Sequence, residues 1–105
     1  MDDVISLIVQ TVTQDENGVE HRAKTERVVF CKVGSITRNE YFGAGRSGLN
    51  PSKVFTVFRG DYAGESIIAH NGLMYAVYRT YLPEGSDYIE LYVKREGGTN
   101  GESDA

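Results

Sequence analysis

Val4-Ile5-Ser6-Leu7-Ile8-Val9 is apolar at nearly every position, the pattern of a strand buried on two sides or closed into a barrel. Strand character runs on to Thr13. Asp15-Glu16-Asn17-Gly18 then predicts a hairpin turn, since Asn and Gly both tolerate positive φ. The partner strand spans Val19 to Val33. Its first half is polar (Glu20, Arg22, Lys24, Glu26) and its second apolar (Val28-Val29-Phe30-Cys31). The polar half is expected to be exposed, or to stand off the body as a long arm.

From Gly34 the pattern changes. Ser35 suits a helix N-cap, and Ile36 with Tyr41-Phe42 gives a weak helical spacing that Gly43, Gly45 and Gly48 should stop. Residues 34–51 therefore predict a long Gly-rich excursion carrying a short helical turn, and loops of that kind are often functional. Strands are expected again at Lys53–Phe58, Glu65–Ala69, Leu73–Tyr81 and Tyr88–Lys94. The turns between them fall at Gly60–Gly64, His70-Asn71-Gly72 and Pro83–Asp87. In the last strand Ile89, Leu91 and Val93 point one way. The fold class is all-β: a small antiparallel barrel of about six strands. Residues 1–95 make the single domain, and 96–105, rich in Gly and acids, are expected to be a disordered tail.

A chain of 105 residues supports one modest core. It carries 11 basic and 15 acidic residues, and three of the acids (Glu96, Glu102, Asp104) lie in the tail, so the body is nearly neutral. That argues against a general nucleic-acid coat, which needs clustered Lys and Arg, while leaving room for a local basic patch. Cys31, the only cysteine, excludes an internal disulfide. The acidic start and short apolar run do not make a signal peptide, and no run approaches the ~20 apolar residues of a membrane span, so the chain is expected to be cytoplasmic when made.

Gly43-Ala44-Gly45-Arg46-Ser47-Gly48 fits G-x-G-x-x-G, but a dinucleotide site needs a strand before the glycines and a helix opening on them. Here the order is inverted, which favours a plain loop with Arg46 at its tip. Cys31 with His21 or His70 would be the material of a nucleophile. Its apolar run instead predicts a buried, inert thiol. The carboxylate pairs Asp2-Asp3, Asp15-Glu16 and Glu84/Asp87 read as solvated turns and ends, so no metal, cofactor or catalytic set is expected. Seven tyrosines stand out, five of them (Tyr75, Tyr78, Tyr81, Tyr88, Tyr92) on the last two strands near Arg79. They fit cross-strand packing, a protein interface, or a stacking platform for single-stranded nucleic acid.

Arg27-Val28-Val29-Phe30-Cys31-Lys32-Val33 with Thr37-Arg38-Asn39-Glu40-Tyr41-Phe42 resembles a segment of the head–tail joining proteins (head-closure or stopper proteins) of tailed bacteriophages and prophages of Gram-positive bacteria. Ala44 to Pro51, Phe55-Thr56-Val57, Tyr62 to Glu65, Asn71-Gly72 with Tyr75, Val77 to Tyr81 and Glu90 to Val93 follow in consistent order, so the likeness covers residues 4–95. Many members have a basic segment before the first strand, where this chain has Asp2 and Asp3. The resemblance implies a β-barrel subunit of a twelve-fold ring at the virion neck, made in the host cytoplasm. It would contact portal or adaptor ring proteins, tail proteins and packaged DNA, and close the exit channel. On that reading Arg38, Asn39, Glu40, Tyr41, Phe42, Gly43, Gly45, Arg46 and Gly48 form the channel or subunit-contact loop. Tyr78, Arg79, Tyr81 and Tyr92 are interface candidates. The rivals are a single-stranded nucleic-acid-binding barrel and another neck or tail ring protein such as a tail terminator.

Overall fold

In the computed structural model, which describes residues 2–46 and 50–96, two long strands pair first: β1 (Asp3–Gln14) and β2 (Glu20–Gly34). Their turn is organised by Asp15. Its backbone carbonyl accepts from Gly18 N at 2.9 Å, and its carboxylate accepts from Asn17 N and Val19 N. Gly18 has φ +80° whereas Asn17 does not enter the left-handed region, so the connection is a longer loop closed by glycine, not the two-residue turn that Asn-Gly suggests. A two-residue turn of the expected kind occurs at Asn71-Gly72, with φ values of 51° and 80°.

The chain then makes α1 (Arg38–Arg46), β3 (Pro51–Phe58), a short 3₁₀ turn at Arg59–Asp61, β4 (Ile67–His70), β5 (Leu73–Tyr81) and β6 (Tyr88–Arg95). The strands close an antiparallel barrel in the order β1-β2-β3-β6-β5-β4. Closure removes free edges along the wall. The expected barrel is therefore present, with two shifts of detail. Gly43 and Gly45 lie inside the helix rather than stopping it, and Glu65 and Ser66 precede β4 in a loop while His70 ends that strand. The expected tail beyond Glu96, and Gly48 of the loop, lie outside the described residues.

Strand alternation sends one face of each strand inward. Ile5, Leu7, Val29, Cys31, Phe55, Val57, Ile68, Tyr75, Leu91 and Val93 form the core. Phe55 packs edge-on against Tyr75 at 5.7 Å and His70 at 5.2 Å. Burying a side chain of this size contributes about 1.5–3 kcal/mol. At the end where β1 begins, Lys53 Nζ sits 5.0 Å from the Tyr75 ring, and His70 Nε2 lies 3.1 Å from Asp3 Oδ2 but off the line a hydrogen bond needs.

At the opposite end β1 and β2 outrun their neighbours. β1 pairs with β4 only over Ser6–Ile8 and β2 with β3 only over Cys31–Gly34, while the two pair with each other as far as Gln14 and Glu20. The surplus is a two-stranded arm, exposed from Val9 to Val28. The molecule measures 50 × 33 × 24 Å.

Candidate functional site

β2 ends and β3 starts at the same end of the barrel, yet residues 35–50 separate them where a tight turn would serve. The excursion builds α1. Thr37, not Ser35, is the N-cap: its Oγ1 accepts from Glu40 N at 3.2 Å and its carbonyl from Tyr41 N at 2.9 Å. Thr37 and Glu40 have capping-box spacing, but the Glu40 carboxylate does not turn back to the cap. It reaches across to β5, where Oε2 accepts from Tyr78 Oη at 2.7 Å and from Arg79 Nε at 3.2 Å, and Oε1 accepts from Arg79 Nη2 at 2.5 Å.

A slip in β5 makes this possible. Val77 pairs with Val93 and Arg79 with Tyr92, leaving Tyr78 as the extra residue of a bulge. A bulge re-aims side chains, so two consecutive residues reach one acceptor on the same outer wall. Arg79 Cζ then lies 3.9 Å over the Tyr92 ring, and Tyr92 Oη donates to Glu90 Oε1 at 2.7 Å. The Arg79 guanidinium holds the Glu40 carboxyl below the usual carboxylate range, although burial pushes the other way. Burial, and after it the hydrogen bond to Glu40, raises the Tyr78 phenol. The site is a charge-assisted clamp holding one turn of helix on the barrel. A cleft of about 380 Å³ lined by Asn39, Glu40, Gly43, Ala44, Tyr78 and Arg79 runs along it.

The structure thus joins two groups of residues that the sequence keeps apart: Glu40 from the loop, and Tyr78, Arg79 and Tyr92 from the strands. The others diverge. Tyr41 and Phe42 point outward, stacked edge-on at 5.8 Å, and Arg38 and Asn39 are exposed on the first turn. Ala44 is buried, Gly43 and Gly45 have open space where a Cβ would sit, and Arg46 closes the helix. Tyr81 is exposed at the end of β5. The five tyrosines do not make one platform, because Tyr75 is in the core while Tyr78 and Tyr92 are engaged around Arg79. Gly43 and Gly45 sit toward the end of a helix, not ahead of one as a dinucleotide loop requires.

Sequence reading missed a second clamp at the root of the arm. Arg27 pairs with Leu7 on the inward face, and its Nη2 donates to Glu65 Oε2 at 2.5 Å and to the Asp61 carbonyl at 2.6 Å. Glu65 is buried, and it also accepts from Ala63 N at 2.8 Å while its carbonyl accepts from Tyr62 Oη. The signal was present: Arg27 shares parity with Val29 and Cys31, and an inward-facing charge demands a partner. Cys31 is fully buried, and burial, with Asp3 behind it, pushes its thiol up to about 11. Among the described residues no three His, Cys, Asp or Glu side chains gather as metal ligands do, and no helix is long and apolar enough to cross a membrane. Compared with known proteins, the chain matches no family model and no curated protein.

Proposed function

We propose that this chain is a structural subunit of the connector of a tailed bacteriophage, joining head to tail at the virion neck and closing the DNA exit channel after packaging. The observation that carries the reading is the pairing of a closed barrel with a helix-bearing excursion held to it by the Glu40 clamp. Opening that clamp breaks three hydrogen bonds and leaves the barrel ladder untouched, so the excursion is free to change partners without unfolding the body. The ordered likeness to head–tail joining proteins over residues 4–95 supplies the context. Portal or adaptor rings and tail proteins are its partners, and copies of the chain assemble into the ring. The rival single-stranded nucleic-acid barrel has less support, since Tyr75 is in the core and Tyr78 and Tyr92 are already engaged around Arg79.

Deleting the gene from the parent phage and examining particles by electron microscopy tests the proposal. Filled heads that leak DNA beside free, complete tails are the expected result. Normal particles remove the connector reading.

A further inference from the structure

The outer wall formed by β1, β2 and β4 near the start of β1 is apolar. Val4 is directly across from Phe30, and Ser6 is flanked by Val28 on β2 and Ala69 on β4, which in turn faces Met74 on β5. Val4 is 47% exposed, Val28 70% and Phe30 67%. No charged residue interrupts these two rows. A contiguous apolar patch of this kind on a small protein marks an interaction surface.

The arm shows a second, separate asymmetry. Its outward face carries Gln10, Val12, Gln14, Glu20, Arg22 and Lys24, whereas its inward face carries Val9, Thr11, Thr13, Ala23 and Thr25, with His21 only at the tip. One side is charged, and the other is small, β-branched and uncharged. Among the described residues nothing covers that uncharged side, which is exposed beyond the points where the pairings to β4 and β3 end.

We infer that the uncharged face of the arm docks on the Val4–Val28–Phe30 wall of a second copy of this chain. The inference deepens the ring reading given above and rests on it for its setting. Parity excludes the intramolecular alternative: the wall patch lies on the even-numbered face of β1 and β2, and the arm stripe on the odd-numbered face of the same two strands. A ribbon cannot lay one face on its own opposite face. Pairing two arms face to face leaves both wall patches bare, whereas arm on wall covers both surfaces in one contact. Donor and acceptor surfaces differ, so the contact is heterologous and propagates head to tail into a ring or a filament. The arm is roughly 20 Å long and presents on the order of 300 Å² per face, well under the ~800 Å² per partner of a stable interface. Each contact is therefore weak alone and relies on repetition around the assembly.

The test uses full-length chains of two sizes, one carrying Thr11→Cys on the arm and the other Val28→Cys on the wall, mixed at high concentration under mild oxidation. Buried Cys31 gives no competing product. The mixed disulfide should predominate over either like pair. Adding Ala23→Glu to the arm should cut its yield about tenfold or more, whereas Gln10→Glu, on the opposite face, should leave it unchanged. Predominance of the Thr11→Cys like pair, equal effects of the two glutamates, or no mixed product overturns the inference. Gene deletion separates it from the connector reading: a mixed disulfide from a chain whose loss leaves particles normal keeps the contact and removes the neck.

Discussion

Removing the two partners of the arm-root clamp should have unequal consequences. Glu65 is 5% exposed, whereas the Arg27 side chain is 43% exposed. Arg27→Met leaves a buried carboxylate with little beyond the Ala63 N–H to answer it. Breaking a buried pair costs about 3–5 kcal/mol, but water at the arm root screens this one, so about 2–3 kcal/mol is expected. Glu65→Gln keeps an oxygen for Ala63 N and lets the half-exposed guanidinium turn to water, for about 1 kcal/mol. Burial pushes the Glu65 carboxyl up, but Arg27 and the Ala63 N–H outweigh it and hold it below the usual range. A depressed value means stabilisation present above the unfolded value of about 4.3 and lost as pH falls through the folded one. The unfolded carboxyl is common to both chains, so the gap between wild type and Arg27→Met should be full at pH 7 and close as pH falls. It closes first as the carboxyl that has lost Arg27 protonates in the variant, and then as the lowered one protonates in wild type. Urea unfolding followed by far-ultraviolet circular dichroism at pH 7 and in acid measures it. Equal costs for the two variants at pH 7, or a gap that persists in acid, would refute the reasoning.

Glu40→Gln should speed amide exchange in α1 at least tenfold while leaving β3, β5 and β6 protected, and wild type should show the same selective loosening as pH falls below about 4.3. Faster exchange across the whole barrel in that variant would mean the clamp holds more than the helix. Gly43→Ala with Gly45→Ala fits the open space at both sites and should stabilise the helix by about 1 kcal/mol each, read as slower exchange in α1. Extending this to Gly48→Ala should impair DNA retention in particles while the barrel stays folded, and normal retention counts against a refolding loop. Cys31 should resist alkylation at pH 8 in the native protein and react fully in denaturant, as its burial and raised thiol require.

The barrel was legible because its strands are written in period two with glycine turns between them. Ile89, Leu91 and Val93 report an inward face directly, and β5 has the bounds its residues suggest. The clamps were less visible. Glu40 meets Tyr78 only through a bulge, and an extra residue in β5 leaves no mark in a pattern that apolar, aromatic and basic side chains already blur. Ser35 looked like the cap because it is the first hydroxyl after Gly34, yet Thr37 wins because Glu40, three residues on, presents its N–H to the Thr37 hydroxyl. Glu65 looked like a strand residue because Ile67 and Ile68 follow it, and only the fold reveals that Arg27 needs it.

The continuity of β1 and β2 from the arm into the barrel also decides how the molecule bears force. A pull along the arm enters the wall along the strand axes. The rungs from Ser6–Ile8 to β4 and from Cys31–Gly34 to β3 then carry the load side by side, in shear, instead of parting one after another. A sideways pull meets no such ladder and is resisted at the root mainly by Arg27 and Glu65. The arm is thus stiff as a tether and compliant as a lever. Any partner gripping its tip is held firmly along one direction while free to swing in the others.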